Sequence, residues 1–403
     1  LFLIDLGKGK DRMGGSGLDQ TLSYSNHESP NINKFDDLLN FFKFSQELIR
    51  KKLLNAYHDR SDGGLITTLI EMSFASNMSV DLGNVSNKSK IELIRFLFNE
   101  ELGGVFAIDK KYENEFFKLS RKYNLETFTH KIGNISKDIK PQLKIASCNY
   151  REPLSQLRKY WSELSYLIQS KRDNKKTALS EYKSKIKSHQ VNYKTTIPKM
   201  HYRVSNINKK YTNKKNKPKV AIFREQGVNG HKEMANAFTL AGFDCYDVNT
   251  NDIINNPILL DEYHGLVACG GFSYGDVLGA GRGWANKIKY NQDALNSLSK
   301  FFSDKNKFTL GVCNGCQMLS NLKSIIPGSE HWPDFINNNS NQFEARQVLV
   351  KIPKSNSILF KDMHKSILPI IVSHGEGKIS IKNRSKIKKA TMQYVDTMGK
   401  YTN

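Results

Sequence analysis

Apolar residues in this chain fall into short, strand-sized runs between polar stretches, interrupted by segments with the three-to-four-residue period of a helix. Among residues 1–150, the runs 1–5, 104–108 and 143–146 read as strands. A glycine-rich loop fills 7–17. Leu38, Phe41, Phe42, Leu48 and Ile49 mark one face of an amphipathic helix over 36–54, and a second helix is expected after Gly63-Gly64. The mixture predicts an α+β or α/β domain over 1–150.

The pattern changes at Arg151. Residues 153–168 predict a helix with proline at its first turn and Leu154, Leu157, Trp161, Leu164 and Ile168 on one face. From 169 to 217 the chain is rich in Lys, Ser and Asn and poor in apolar residues, so a mostly irregular linker is expected. A new domain then runs from 218 to 403. Short apolar strands at 219–223, 243–248, 265–269 and 308–312 alternate with helical patterns, one of them after Gly230. Such strands suit a parallel sheet covered on both faces, and the expectation is a doubly wound, flavodoxin-like fold.

No apolar run approaches the roughly 18 residues of a membrane span, so no membrane partner is expected. The start, Leu1-Phe-Leu-Ile-Asp5, has neither an initiator Met nor the layout of a signal peptide, which suggests a fragment of a longer polypeptide. The five cysteines (148, 245, 269, 313 and 316) are scattered, odd in number and unsuited to a disulfide framework, which points to a reducing cytoplasmic setting. Cys313-Asn-Gly-Cys316 could serve zinc or a redox dithiol, but no second Cys/His pair at ligand spacing accompanies it. The formal net charge is +22, and +14 of it lies in 151–217 (18 Lys and Arg against 4 Asp and Glu). Lys outnumbers Arg 48 to 13, whereas phosphate and base readers favour Arg. The charge is therefore read as solvated surface and linker with no nucleic-acid partner; a polyanion site in 151–217 is the open alternative.

The strongest chemical signal is Phe308-Thr-Leu-Gly-Val-Cys-Asn-Gly-Cys-Gln317. An apolar strand runs through Gly311-x-Cys313-x-Gly315 into a helix. A cysteine on such a bend is pushed to the carboxyl edge of the sheet, and glycines on either side permit the backbone. The helix N-terminus behind it favours a thiolate, and the Asn314 N–H is placed to hold an oxyanion. A buried structural cysteine in a glycine-rich turn is the alternative.

This string resembles the nucleophile elbow of class I glutamine amidotransferases, and in its longer form the glutaminase of the large, single-chain phosphoribosylformylglycinamidine synthases. The segments 224–231, 268–281, 328–333, 342–346 and 373–377 resemble the same family in the same order. The resemblance implies that Gly271 and Phe272 supply the second oxyanion donor. It also implies that Ser273, Tyr274, Asp276, Gln317 and the 342–346 segment shape the glutamine pocket. In this family the His and Glu that complete a triad with the cysteine lie in a Pro-His-Pro-Glu-Arg segment, expected here beyond Asn403. His374 and Glu376 are therefore expected in the pocket wall, with a displaced triad as the alternative.

A second signal is Ala56-Tyr-His-Asp-Arg-Ser-Asp-Gly-Gly64. Carboxylates and a hydroxyl before a Gly-Gly helix start suit Mg²⁺ and phosphate; a polar turn N-capped by Asp62 is the alternative. The run resembles the His-Asp-x-Ser-Asp-Gly-Gly segment of the ATP-binding synthase superfamily, as do 6–16 and 98–103. The resemblance implies Asp59 as a Mg²⁺ ligand and Ser61 as a nucleotide contact, in an α+β domain like the C-terminal domain of aminoimidazole ribonucleotide synthetase. It further implies glutamine, ATP and formylglycinamide ribonucleotide as substrates, in purine biosynthesis, with an upstream part of the same polypeptide as partner. The alternative is a catalytically incomplete fragment that binds nucleotide and glutamine without turnover.

Overall fold

The computed structural model describes residues 1–403 except 25, 33, 86, 87, 190–197, 204–215, 382–389, 397 and 403. The chain divides into two units, Leu1–Tyr193 and Lys194–Asn403. Among the described residues no helix is long and apolar enough to cross a membrane.

The first unit contains β1 (Phe2–Asp5), α1 (Gly17–Leu22), α2 (Phe35–Arg50), β2 (Ala56–Asp59), α3 (Gly64–Ser76), β3 (Ser79–Leu82), α4 (Lys90–Phe98), β4 (Gly103–Ala107), α5 (Glu113–Lys122), β5 (Thr129–Lys131), β6 (Asn134–Ser136), β7 (Gln142–Ile145), β8 (Tyr150–Pro153), α6 (Leu154–Arg172) and α7 (Lys175–Lys187). One antiparallel sheet has the order β2-β4-β1-β5; a second, mixed sheet has the order β6-β3-β7-β8. Strands β1 and β4 are buried along their whole length. Phe2, Phe44, Phe106 and Phe116 pack edge to face or tilted against one another under α2 and α5. The amphipathic helix expected to reach residue 54 stops at Arg50. Lys52 adopts a left-handed φ of 55°, and Leu53 N–H turns back to Leu48 O at 3.1 Å, which closes the helix.

Two expectations for 151–217 need correction. The stretch from 169 holds helix that the linker expectation did not include: α6 continues to Arg172, and α7 follows, N-capped by Asn174. Ala178, Tyr182 and Ile186 recur every four residues and face inward, with Tyr182 stacked on Tyr166 at 4.5 Å. Residues 190–197 and 204–215 of that stretch lie outside the described residues. On α6 only the first turns of the expected apolar face are buried: Leu154 and Leu157 are covered, while Leu164 is 69 % and Ile168 56 % exposed.

The second unit contains β9 (Lys219–Arg224), α8 (His231–Leu240), β10 (Asp244–Asn249), α9 (Thr250–Asn255), β11 (Gly265–Ala268), α10 (Arg282–Lys289), α11 (Gln292–Ser303), β12 (Phe308–Gly311), α12 (Asn314–Asn321), β13 (Asp334–Ile336), β14 (Glu344–Lys351), β15 (Ile367–His374), β16 (Lys378–Ser380) and β17 (Gln393–Val395). Strands β10-β9-β11-β12 form the parallel sheet expected of a doubly wound, flavodoxin-like domain. Central β11 is fully buried and β9 nearly so, and both are apolar for that reason; the outer strands β10 and β12 are partly exposed. Trp284 fills the core against Phe223 and donates its indole N–H to Thr250 Oγ1 at 2.9 Å. Small antiparallel sheets, β15-β14-β17 and β13-β16, follow.

Candidate active site

The carboxyl ends of β9, β11 and β12 are aligned by register, Ala268 lying beside both Phe223 and Gly311. That edge is where an open parallel sheet binds its ligands. Cys313 stands there, two residues past the end of β12 and at the N-cap position of α12, with φ 53° and ψ −117°. A non-glycine residue rarely holds this backbone, and here it turns an exposed thiol out of the bend. The flanking glycines explain how the bend fits. A Cβ on Gly315 would lie 2.2 Å from Ala268 O, and one on Gly311 would lie 2.6 Å from Leu319 Cδ1. Helix α12 therefore sits directly on β11. The other nearby thiols differ: burial pushes Cys269 up to about 11, and burial, then the neighbouring Cys313, raises Cys316.

Two backbone segments meet beside the thiol. Gly270 is so close that an added Cβ would lie 3.0 Å from the Cys313 Cβ. The segment after β9 bonds to the segment after β11, with Asn229 N–H on Gly270 O (3.0 Å) and Phe272 N–H on Gly227 O (2.9 Å). The Phe272 N–H is thus engaged, which narrows the expected second oxyanion donor to Gly271. Among the described residues neither the Gly271 N–H nor the Asn314 N–H is bonded to an acceptor. Ser273 is fully buried and donates to Asn314 Oδ1 at 2.7 Å, so it braces the site instead of facing it. Gln317, also buried, donates from Nε2 to Glu376 O at 2.8 Å.

Glu376 and His374 are held by partners other than the thiol. Glu376 Oε2 accepts from Ala280 N–H at 3.0 Å. Asn338 Nδ2 donates to His374 O and Gln342 O, which turns its Oδ1 toward His374 Nδ1 at 2.9 Å. That ring nitrogen must then carry the proton, and burial lowers the pKa of the imidazole. Among the described residues no side chain is hydrogen-bonded to Cys313 Sγ.

In the first unit, the three runs singled out in the sequence share one network. Arg12 of the glycine-rich loop makes a two-pronged bond to Glu101 (2.6 and 2.8 Å), and both are buried. Arg60 Nη2 reaches Asp5 at 2.5 Å, and its Nε reaches Glu101 O at 2.6 Å. Glu100 Oε1 accepts from both Gly63 N–H and Gly17 N–H at 2.8 Å. Two of the N–H groups at the helix start expected to receive phosphate are therefore occupied: Gly63 by Glu100, and Gly64 by Ser61 O at 2.9 Å. Asp62 is not the N-cap; that position is Gly63, with φ 82° and no side-chain cap. Asp59 and Ser61 remain exposed, 3.3 Å apart between Ser61 Oγ and Asp59 Oδ2. Among the described residues no group of three or more His, Cys, Asp and Glu is arranged to hold a metal. Mg²⁺ bound with a nucleotide takes only one or two protein carboxylates beside phosphate and water, and a lone exposed Asp59 fits that limited role.

Residues 217–403 match the family described as the CobB/CobQ-like glutamine amidotransferase domain, and residues 6–145 match the C-terminal domain of AIR synthase related proteins. Among solved structures, PurLQS from Thermotoga maritima is 23 % identical over 45 % of this chain and 76 % of that one, with a TM-score of 0.36. Thermotoga maritima PurL complexed with ATP is 13 % identical over 29 % of this chain and 21 % of that one, with a TM-score of 0.25. The same protein complexed with FGAR is 14 % identical over 29 % and 20 %, also with a TM-score of 0.25. The chain spans about a fifth of the length of those two PurL chains.

Proposed function

We propose that this chain, whose paired domains are those of the phosphoribosylformylglycinamidine synthase type, carries the glutaminase of an ATP-dependent synthase. That synthase would convert formylglycinamide ribonucleotide to its amidine in purine biosynthesis. The observation that carries the reading is the exposed Cys313 thiol on a left-handed bend beside two unbonded N–H groups.

Cys313 Sγ attacks the carboxamide carbon of glutamine, and the Asn314 and Gly271 N–H groups receive the charge that develops on oxygen. Collapse breaks the C–N bond and releases ammonia, leaving a glutamyl thioester that water hydrolyses to glutamate. The proton for the departing nitrogen is expected from the His–Glu pair that the family resemblance puts beyond Asn403. In the first unit Asp59 would hold Mg²⁺ and Ser61 would contact nucleotide. ATP, when bound, supplies the phosphoryl group that activates the amide oxygen, which ammonia then displaces as phosphate.

The test is product stoichiometry. The full-length protein, given glutamine, ATP and formylglycinamide ribonucleotide, is expected to form amidine, glutamate and ADP in equal amounts; no amidine would overturn the reading. The second reading, a chain that binds glutamine and nucleotide without turnover, is favoured by the unbonded thiol. It predicts that the 403 residues by themselves bind glutamine yet release no glutamate, and Cys313-dependent glutamate release from them rejects it.

A further inference from the structure

Two strained segments make the candidate oxyanion hole, and one buried side chain ties them together. The first segment is the bend at Cys313, φ 53°, which leads into Asn314 and its free N–H. The second is the loop that follows Gly271, φ 135°, in which Tyr274, Gly275 and Asp276 hold φ values of 53°, 62° and 53°. A run of left-handed residues, two of them non-glycine, persists only where its surroundings over-determine it. The Asn314 carboxamide supplies that determination. Its Oδ1 accepts from Ser273 Oγ at 2.7 Å, and its Nδ2 donates to Asp276 Oδ1 at 2.9 Å. Asn314 is 1 % and Ser273 0 % exposed, so water does not compete for the bond between them; the bond to Asp276 is part-buried. The ionised Asp276 carboxylate offers only acceptor oxygens, so it takes the Nδ2 side, and the Ser273 hydroxyl, able to donate or accept, then donates to Oδ1. Burial raises the pKa of Asp276, while its bond from Asn314 works against that shift.

We infer that the Asn314 side chain is a positioning residue for the glutaminase. With Ser273 and Asp276 it fixes the gap between the Asn314 and Gly271 N–H groups, so that both reach one oxyanion. This rests on the glutaminase reading of Cys313. It also assigns Ser273 a brace role where the family resemblance implied a pocket role. Small errors in such a gap weaken both donors together, because an oxyanion hole works only when its dipoles are aimed before the charge forms.

The test compares the full-length wild type with Asn314→Ala, Asn314→Asp and Ser273→Ala. The first two are expected to lower kcat for glutamine hydrolysis by about 100-fold, the scale of losing one oxyanion donor. The last is expected to lower it by about tenfold. KM for glutamine should stay within about threefold. A second readout separates aiming from folding: alkylation of Cys313 by iodoacetamide, in which the C–S bond forms as iodide leaves and no oxyanion develops. Its rate should also stay within about threefold. The inference is overturned if kcat survives within threefold, or if kcat and alkylation rate fall together. Should the Asn314 variants fail to fold, Ser273→Ala decides by the same criteria. A wild type that shows no Cys313-dependent hydrolysis sinks the underlying reading itself, an outcome distinct from active variants beside an active wild type.

Discussion

Cys313→Ala is expected to lower glutamine-driven synthesis by about 10⁴-fold or more while synthesis driven by ammonium stays within about twofold. The thiol is the sole atom in this site proposed to form a bond to glutamine. Without it the thioester route is gone, and what remains is the weak effect of binding and of the two N–H donors. Ammonium bypasses that step, because it enters the amidine-forming reaction directly. The nearest cysteine is no substitute: Cys316 lies a turn into α12, and burial disfavours its thiolate. The assay follows amidine formation with saturating glutamine and, separately, saturating ammonium. Loss of both activities would argue against separate half-reactions; survival of glutamine-driven synthesis would remove Cys313 from the mechanism.

The second large effect is expected at Gly315. An alanine Cβ there would lie 2.2 Å from Ala268 O and 2.5 Å from Ala268 C, which are backbone atoms of the central strand and cannot swing aside. Relief requires lifting α12 from β11, and with it the Asn314 N–H and the Cys313 bend. Displacements of about 1 Å at a reacting group cost about 100-fold in rate, and overpacking costs about 1–3 kcal/mol in stability. Gly315→Ala should therefore lower kcat with glutamine by about 100-fold and also depress the unfolding midpoint. Gly328→Ala is the contrast. Its φ is 78°, but no heavy atom lies within 4 Å of an added Cβ, so only the backbone penalty of about 1 kcal/mol applies. Equal losses in the two variants, measured by denaturant melts and glutaminase kinetics, would contradict the close seating of α12 on β11.

Much of this was readable before any coordinates, because the informative signals were local. Gly311-x-Cys313-x-Gly315 prescribes its own bend, and the runs of β9 and β11 are apolar because a parallel sheet buries them. What the sequence hid depends on partners far along the chain. Arg12 and Glu101 both fall in runs that resemble a synthase domain, but their pairing spans 89 residues and appears only in the fold. The Phe272 N–H looked like an oxyanion donor until the segment after β9 was seen to accept it. Gly63 looked like a phosphate-facing helix start until Glu100 was found on its N–H. Helix α7 was missed for a different reason: its lysines suggested a solvated linker, although lysine is a good helix former and Ala178, Tyr182 and Ile186 already had helical spacing. The outer half of α6 shows the reverse error, an apolar face that the fold leaves open.

The most direct measurement is covalent labelling of the full-length protein with a glutamine-mimicking chloroketone, mapped by mass spectrometry. The account predicts one equivalent of label, on Cys313 alone, slowed by added glutamine, with the buried Cys269 and the less acidic thiol of Cys316 untouched. A Cys313 that stays unmodified while other cysteines react, or that reacts with no protection by glutamine, would contradict it.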